Sequence, residues 1–217
     1  MFFPFYDSTY ILVLIGVIVS MMASAKLNAT YQRYSAVRSM CGLTGAEAAK
    51  RLLNSQGIYD VTIRRVPGSL TDHYDPRSKT VNLSDAVYGS TSIAAIGVAA
   101  HECGHAMQDA ADYSPLRIRA ALVPAANLGS QLAWPLILVG LLLGSGGSGL
   151  AFAGIVLFSL AVLFQLVTLP VEYNASHRAV TLLDSTGILA GQEVGQTRSV
   201  LNAAALTYVA AAAASIL

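Results

Sequence analysis

Charge is what this sequence has least of. Only 12% of its 217 residues are Asp, Glu, Lys or Arg, against about 25% in an ordinary soluble domain. That scarcity, with 54% apolar residues and a mean hydropathy of +0.57, excludes a disordered chain and argues against a soluble globular one. A net charge of +1 leaves no electrostatic footprint for nucleic acid. Two cysteines, Cys41 and Cys103, are too few for a disulfide framework. The first seven residues hold no Lys or Arg and include Asp7. A secretory signal needs a positive start, so the first apolar stretch reads as retained, although Ala23-Ser24-Ala25 has the form of a cleavage site.

What is present in abundance is uncharged length. From Ala120 to Val171, 52 residues carry no charge. One bilayer crossing takes about 20 residues, so this run accommodates two crossings, roughly Ala120–Leu143 and Leu150–Val171, around the turn Gly144-Ser145-Gly146-Gly147-Ser148-Gly149. A first span is expected over Ser8–Ala25. A fourth apolar stretch, Leu201–Leu217, has 17 residues, the short end of spanning length, and is either a span or a helix packed on the others. The chain therefore divides into an N-terminal transmembrane helix (1–26), a polar unit (27–119), a transmembrane hairpin (120–171), a second polar segment (172–200) and a C-terminal apolar helix (201–217).

Positive charge is distributed with full asymmetry. Eleven of the 13 Lys and Arg lie between Lys26 and Arg119, and the other two are Arg178 and Arg198. Four crossings put both charged segments on one face, which the positive-inside rule makes cytoplasmic, with the N-terminus outside. The expected location is a multi-pass protein of the cytoplasmic membrane. Its cysteines would then sit in a reducing compartment as free thiols.

The polar unit has signs of folded structure. Thr44-Gly45-Ala46-Glu47 matches a capping box for a helix that Gly57 ends. Val61–Val66 and Thr80–Ser84 read as strands, and Asp72-His73-Tyr74-Asp75-Pro76 as a turn or short edge strand. Ser90-Thr91-Ser92 offers caps for a helix running to about Asp112. In segment 172–198, Gly187, Gly191 and Gly195 suggest a helical start that ends in loops.

Inside the helix that follows Ser92 stands His101-Glu102-Cys103-Gly104-His105, the pattern H-E-x-x-H. Given the four His and four Glu of this chain, chance would produce it about 0.001 times. Residues four apart lie one above the other on one helix face, so both imidazoles can converge on one zinc ion. Glu102, between them, can reach an attacking water as general base. A catalytic zinc needs a third protein ligand. The metzincin extension fails, because Gln108 and Ala111 stand where it requires Gly and His. Asp109 shares the face but lies about 12 Å along the axis from His101, too far to share the ion. Among the later acids Glu172 is the strongest candidate, since two crossings return it to the same face two residues after Pro170.

Val98–Ala106 around the motif, with Leu169-Pro170-Val171-Glu172-Tyr173-Asn174-Ala175-Ser176, resembles the YugP-like neutral zinc metallopeptidases of bacterial membranes. The resemblance extends through Asp72–Pro76, Val81–Ser84 and Asn202–Ala210, nearly the whole chain. More distantly the sequence is similar to gluzincin membrane proteases of the CAAX and HtpX-like kinds, whose third-ligand Glu lies in E-x-x-x-D on a later helix. Glu172 matches that Glu. Ser176 stands where the Asp would be, and a neutral hydroxyl orients a ligand His less strongly than a carboxylate. The resemblance also implies that Thr80–Ser84 is the substrate-binding edge strand, with β-augmentation as its means.

Other residues carry two readings each. Gly104 either permits close approach of another helix or of substrate, or is merely tolerated. Tyr208 is either a hydrogen-bond donor to the oxyanion or an interfacial aromatic anchor. Cys103 points away from the zinc face, His177 lies about 140° round a helix from Glu172, and His73 reads as a surface residue. The expectation is a mainly α integral membrane protein with about four transmembrane helices and a small cytoplasmic α+β zincin-like unit. It would be a zinc endopeptidase acting on polypeptides at the cytoplasmic membrane face, with His101, His105 and Glu172 on Zn2+ and Glu102 assisting attack by zinc-bound water. A non-catalytic zinc scaffold or regulatory subunit is the alternative, against which the intact Glu102 argues. A metal transporter would need His or carboxylates inside its spans, and the three long ones have none.

Overall fold

The computed structural model describes residues 9–217; the expected first residue of the first span, Ser8, and the acidic Asp7 lie outside them. The first and last helices pack together, two long helices form a hairpin, and a small mixed unit joins them through its longest helix. Helix α1 covers Thr9–Ser35 and α2 Gly45–Ser55. Three strands follow, β1 (Thr62–Val66), β2 (His73–Asp75) and β3 (Thr80–Ser84), then the single turn α3 (Asp85–Tyr88). Helices α4 (Ile93–Ala110), α5 (Ser114–Leu142), α6 (Ser148–Ser185) and α7 (Gln192–Ile216) complete the chain.

Local chemistry explains where these elements start and stop. Thr44 and Glu47 form the reciprocal capping box of α2. Ser92 accepts the Ala95 amide at the start of α4, satisfying one of the amides a helix N-terminus leaves without a partner. Gly187 and Gly191 adopt φ of +67° and +58°, a region costly for residues with a Cβ, and so confine the break between α6 and α7 to residues 186–191.

The helices run through the boundaries that charge patterning suggests. The first continues ten residues past Ala25, the second begins at Ser114, and the third carries on to Ser185. The last begins nine residues before Leu201, and at 25 residues it exceeds the ~20 needed to span. Segment 172–200 is therefore mostly helical, and Gly195 sits inside α7. Backbone hydrogen bonding propagates regardless of side-chain charge, so a helix need not end where the bilayer does. Among the described residues, four helices are long and apolar enough to cross a membrane. Ile11, Leu14, Leu141 and Phe152, on α1 and the hairpin, are each more than half exposed, as lipid-facing positions should be. The protein is a mainly α membrane protein carrying a small α+β unit.

The sheet order is β1-β3-β2, with β3 parallel to β1 and antiparallel to β2. This corrects one expectation. Thr80–Ser84 is the central strand, paired on both sides, and cannot receive another chain. Its Val81 and Leu83 are fully buried, which is why it takes the middle. The outer strand beside α4 is β2, and its second edge pairs with no strand among the described residues.

Helix α4 is the axis of the polar unit. Ile96, Ala100 and Cys103 pack in one core with Leu52 of α2, Leu83 of β3 and Leu183 of α6. Gly104 settles its two readings in favour of close approach. A Cβ there would collide with the Ala175 backbone carbonyl of α6, so glycine lets the two helices touch main chain to main chain. Gly195, by contrast, faces open space. Gly104→Ala is therefore expected to lower the thermal midpoint in detergent, at a cost of about 1–3 kcal/mol. Gly195→Ala should raise stability by up to about 1 kcal/mol, because alanine is the better helix former. A paired unfolding measurement checks the opposite signs.

Candidate metal centre and active site

Two helices build the centre. Along α4, the His101 and His105 rings meet edge to face, with centroids 4.8 Å apart and planes nearly perpendicular. From α6, Glu172 reaches between them. Its Oε2 lies 3.2 Å from His101 Nε2 and 3.7 Å from His105 Nε2. One ligand atom from each of the three residues falls within 4.8 Å of the others. Zinc bonds of about 2.0–2.1 Å in a tetrahedron separate neighbouring ligand atoms by roughly 3.3 Å, so the two contacts bracket the spacing the ion needs. Two imidazoles and a carboxylate are also a donor set that zinc accepts.

The far sides of both rings are tethered. Ser176 Oγ lies 3.1 Å from His101 Nδ1. The residue that departs from the E-x-x-x-D pattern thus still meets the ring that an Asp would meet, as a hydroxyl. His105 Nδ1 lies 3.0 Å from Gln108 Oε1, and here the tautomer can be worked out. Gln108 Nε2 donates to the Val171 carbonyl at 2.8 Å and to Asn174 Oδ1 at 3.0 Å. Asn174 Oδ1 also accepts from Arg178 Nε at 2.8 Å, which establishes it as the oxygen. Gln108 therefore turns its own oxygen to His105, and Nδ1 must carry the proton. The lone pair of His105 is left on Nε2, facing Glu172. Gln108 is fully buried. The sequence offered only its failure to match a metzincin glycine, and its position three residues after His105 was the available signal.

Charge balance fits a cation. Glu172 is almost fully buried, and its other oxygen pairs with Arg119 Nη1 of α5 at 3.4 Å. Sequence reasoning singled out Arg119 only as a charge boundary. Burial alone would push the His105 imidazole toward its neutral form, but the Glu172 and Glu102 carboxylates reverse this and raise its pKa. Glu102 projects from the same turn into a cavity of about 270 Å³ that also reaches His101, His105, Arg119 and Tyr208. Tyr208, from α7, stands beside the cluster at the wall shared with a second cavity. Asp72, which borders both cavities, accepts from the Ser84 amide and hydroxyl at 2.7 and 2.9 Å and ties the start of β2 to the end of β3.

Three residues on the same stretches do not join the centre. Asp109 accepts from the Tyr74 hydroxyl at 2.8 Å and pairs with Lys79 at 3.5 Å, so it anchors the sheet to α4 and touches neither histidine. Cys103 is buried on the opposite side, its thiol directed at the Ala49 carbonyl. His177 is exposed and lines a separate groove with Arg198. His73 is exposed as expected, yet it borders the larger cavity.

A family model described as "Putative neutral zinc metallopeptidase" matches residues 9–217. A relative from Bacillus subtilis (strain 168), "Putative membrane protease YugP", is 48% identical over 198 residues, covering 91% of this chain and 87% of the relative. No solved structure matches.

The hydrogen-bond argument for Gln108 has a measurable consequence. Gln108→Leu keeps the bulk but removes the acceptor of His105 Nδ1–H. Zinc affinity, read by competition with a chromogenic chelator, is expected to fall about 10- to 100-fold.

Proposed function

The chain belongs to the neutral zinc metallopeptidase family, and from that premise we propose that it is a membrane-embedded endopeptidase whose zinc is held by His101, His105 and Glu172. The observation that carries this reading is the convergence of both Nε2 atoms on Glu172 Oε2, with both Nδ1 atoms tethered elsewhere. Zinc bound there supplies a Lewis acid that acidifies a water and polarises the scissile carbonyl. Glu102 takes the proton of the attacking water and passes it to the leaving amine. Its carboxylate suits this role because it faces the cavity and pairs with no side chain among the described residues. Tyr208 lines the same cavity, and in this reading it donates a hydrogen bond to the developing oxyanion. The substrate main chain is held by adding to the free edge of β2, not β3, because His73 and Tyr74 border the same cavity as Glu102.

The alternative, a zinc scaffold without turnover, has no use for a carboxylate facing the cavity. The decisive comparison is between two amides. Glu102→Gln is expected to keep zinc and fold while peptide hydrolysis of casein drops by at least ~10². Glu172→Gln should lose zinc affinity and activity together. Equal cleavage by Glu102→Gln and the parent, both stopped by chelation, would refute the base assignment.

The site is further proposed to face the cytoplasm, with the N-terminus outside. Charge asymmetry supports this, and the length of α6 fits a Glu172 on the face opposite the Gly-Ser turn. At 1.5 Å per residue, its 38 residues extend about 57 Å, well beyond a hydrocarbon core of ~30 Å. Glu172 lies roughly 36 Å along it, past one bilayer thickness from the Gly-Ser turn. In a Cys41→Ser background, an impermeant thiol reagent should label Ser145→Cys on intact cells and Tyr59→Cys only after permeabilisation. The reverse pattern would overturn the orientation.

A further inference from the structure

The larger cavity accounts for Glu102 and the β2 edge, but it is not the only space beside the metal-binding cluster. A second cavity of about 190 Å³ opens from the same His101, Glu102 and Glu172 and runs the other way, between α1, α4 and α7. We propose that it is a specificity subsite, which takes an aliphatic side chain of the polypeptide at one fixed position next to the cleaved bond. This inference rests on the endopeptidase reading above.

The lining chooses the chemistry. Besides the cluster, the lining is mostly aliphatic, with Leu27 of α1, Val98 of α4 and Leu201 and Ala204 of α7, and its neutral polar groups are hydroxyls such as those of Tyr31 and Thr207. Among the described residues no Lys or Arg borders this cavity, whereas Arg119 borders the other one. Its carboxylates, Asp72, Glu102 and Glu172, all sit where it joins the cluster. An acidic side chain would enter past three like charges and find no cation. A basic one would have to bury its charged head group in a cavity whose further walls are aliphatic but for neutral hydroxyls, which is costly. A branched aliphatic chain meets neither penalty and displaces water from apolar surface.

The space exists because α7 presents alanine where it faces α1. Helix α1 packs along α7, with Gly16 against Ala214, and its continuation beyond Ala25 is what brings Leu27 and Tyr31 to the cavity. The first membrane helix thus forms one wall of the subsite. A methylene gained or lost in an apolar pocket changes discrimination by about 10- to 200-fold, so small changes at this wall should be visible in cleavage patterns.

The test uses the full-length zinc-loaded protein in detergent with unfolded casein, and cleavage sites are mapped by mass spectrometry. One position flanking the cleaved bond is expected to be enriched in Leu, Ile, Val and Met and depleted in Asp and Glu. Ala204→Leu fills the cavity and should shift the aliphatic-to-small ratio at that position toward Ala, Gly and Ser by at least ~10-fold. Leu27→Ala, on a partly exposed helix surface where misfolding is not at issue, widens the cavity and should admit Phe and Tyr. Cleavage by the parent with no aliphatic preference at any position, or profiles unchanged in Leu27→Ala, would overturn the subsite while leaving the protease intact. Absence of any zinc-dependent cleavage by the parent would overturn the endopeptidase reading and the subsite with it.

Discussion

A carboxylate buried to within 2% of complete exclusion from solvent is the constraint around which the rest of this structure is arranged. An isolated buried charge costs several kcal/mol even after relaxation, so Glu172 has to be met by partners. The two α4 imidazoles meet one oxygen and Arg119 the other. Those partners come from two helices, and together with Glu172 on a third they hold α4, α5 and α6 in one geometry. The same negative charge, with that of Glu102, outweighs the effect of burial on His105 and raises its pKa.

That arrangement depends on how closely two helices can approach. Gly104, inside the H-E-x-x-H motif, lets the Ala175 carbonyl lie directly against α4. Ala175 is flanked on α6 by the groups that tether both rings. Ser176 reaches His101, while Asn174 and the Val171 carbonyl orient Gln108 toward His105. A single glycine contact thus sets the register between the helix that carries the histidines and the helix that holds them in place. Helix α6 also belongs to the apolar hairpin, so Glu172 and the long apolar run before it lie on one continuous helix.

The functional features missed by sequence reasoning share a cause. Gln108, Arg119 and Asn174 have no motif of their own; each acts through a partner 53 or more positions away in the chain. The edge-strand expectation failed for a related reason. Thr80–Ser84 has the right composition and place in the chain, but strand order is decided by which faces find cover, and β1 comes in parallel on its other side. Asp109 was legible as an acid on the histidine face, yet Tyr74 and Lys79 claim it.

The sequence by itself determined the membrane class, the hairpin, the zinc motif and the third-ligand candidate. Hydropathy over 52 uncharged residues and an i, i+4 histidine pair are local, one-dimensional signals tied to helix period and bilayer thickness. Only the tertiary structure decided where helices end, which strand keeps a free edge, which nitrogen of His105 faces Glu172 and which residues wall the two cavities beside it. Those outcomes depend on close packing and on the pairing of buried polar groups. Both are settled between residues distant in the chain, so no local pattern records them.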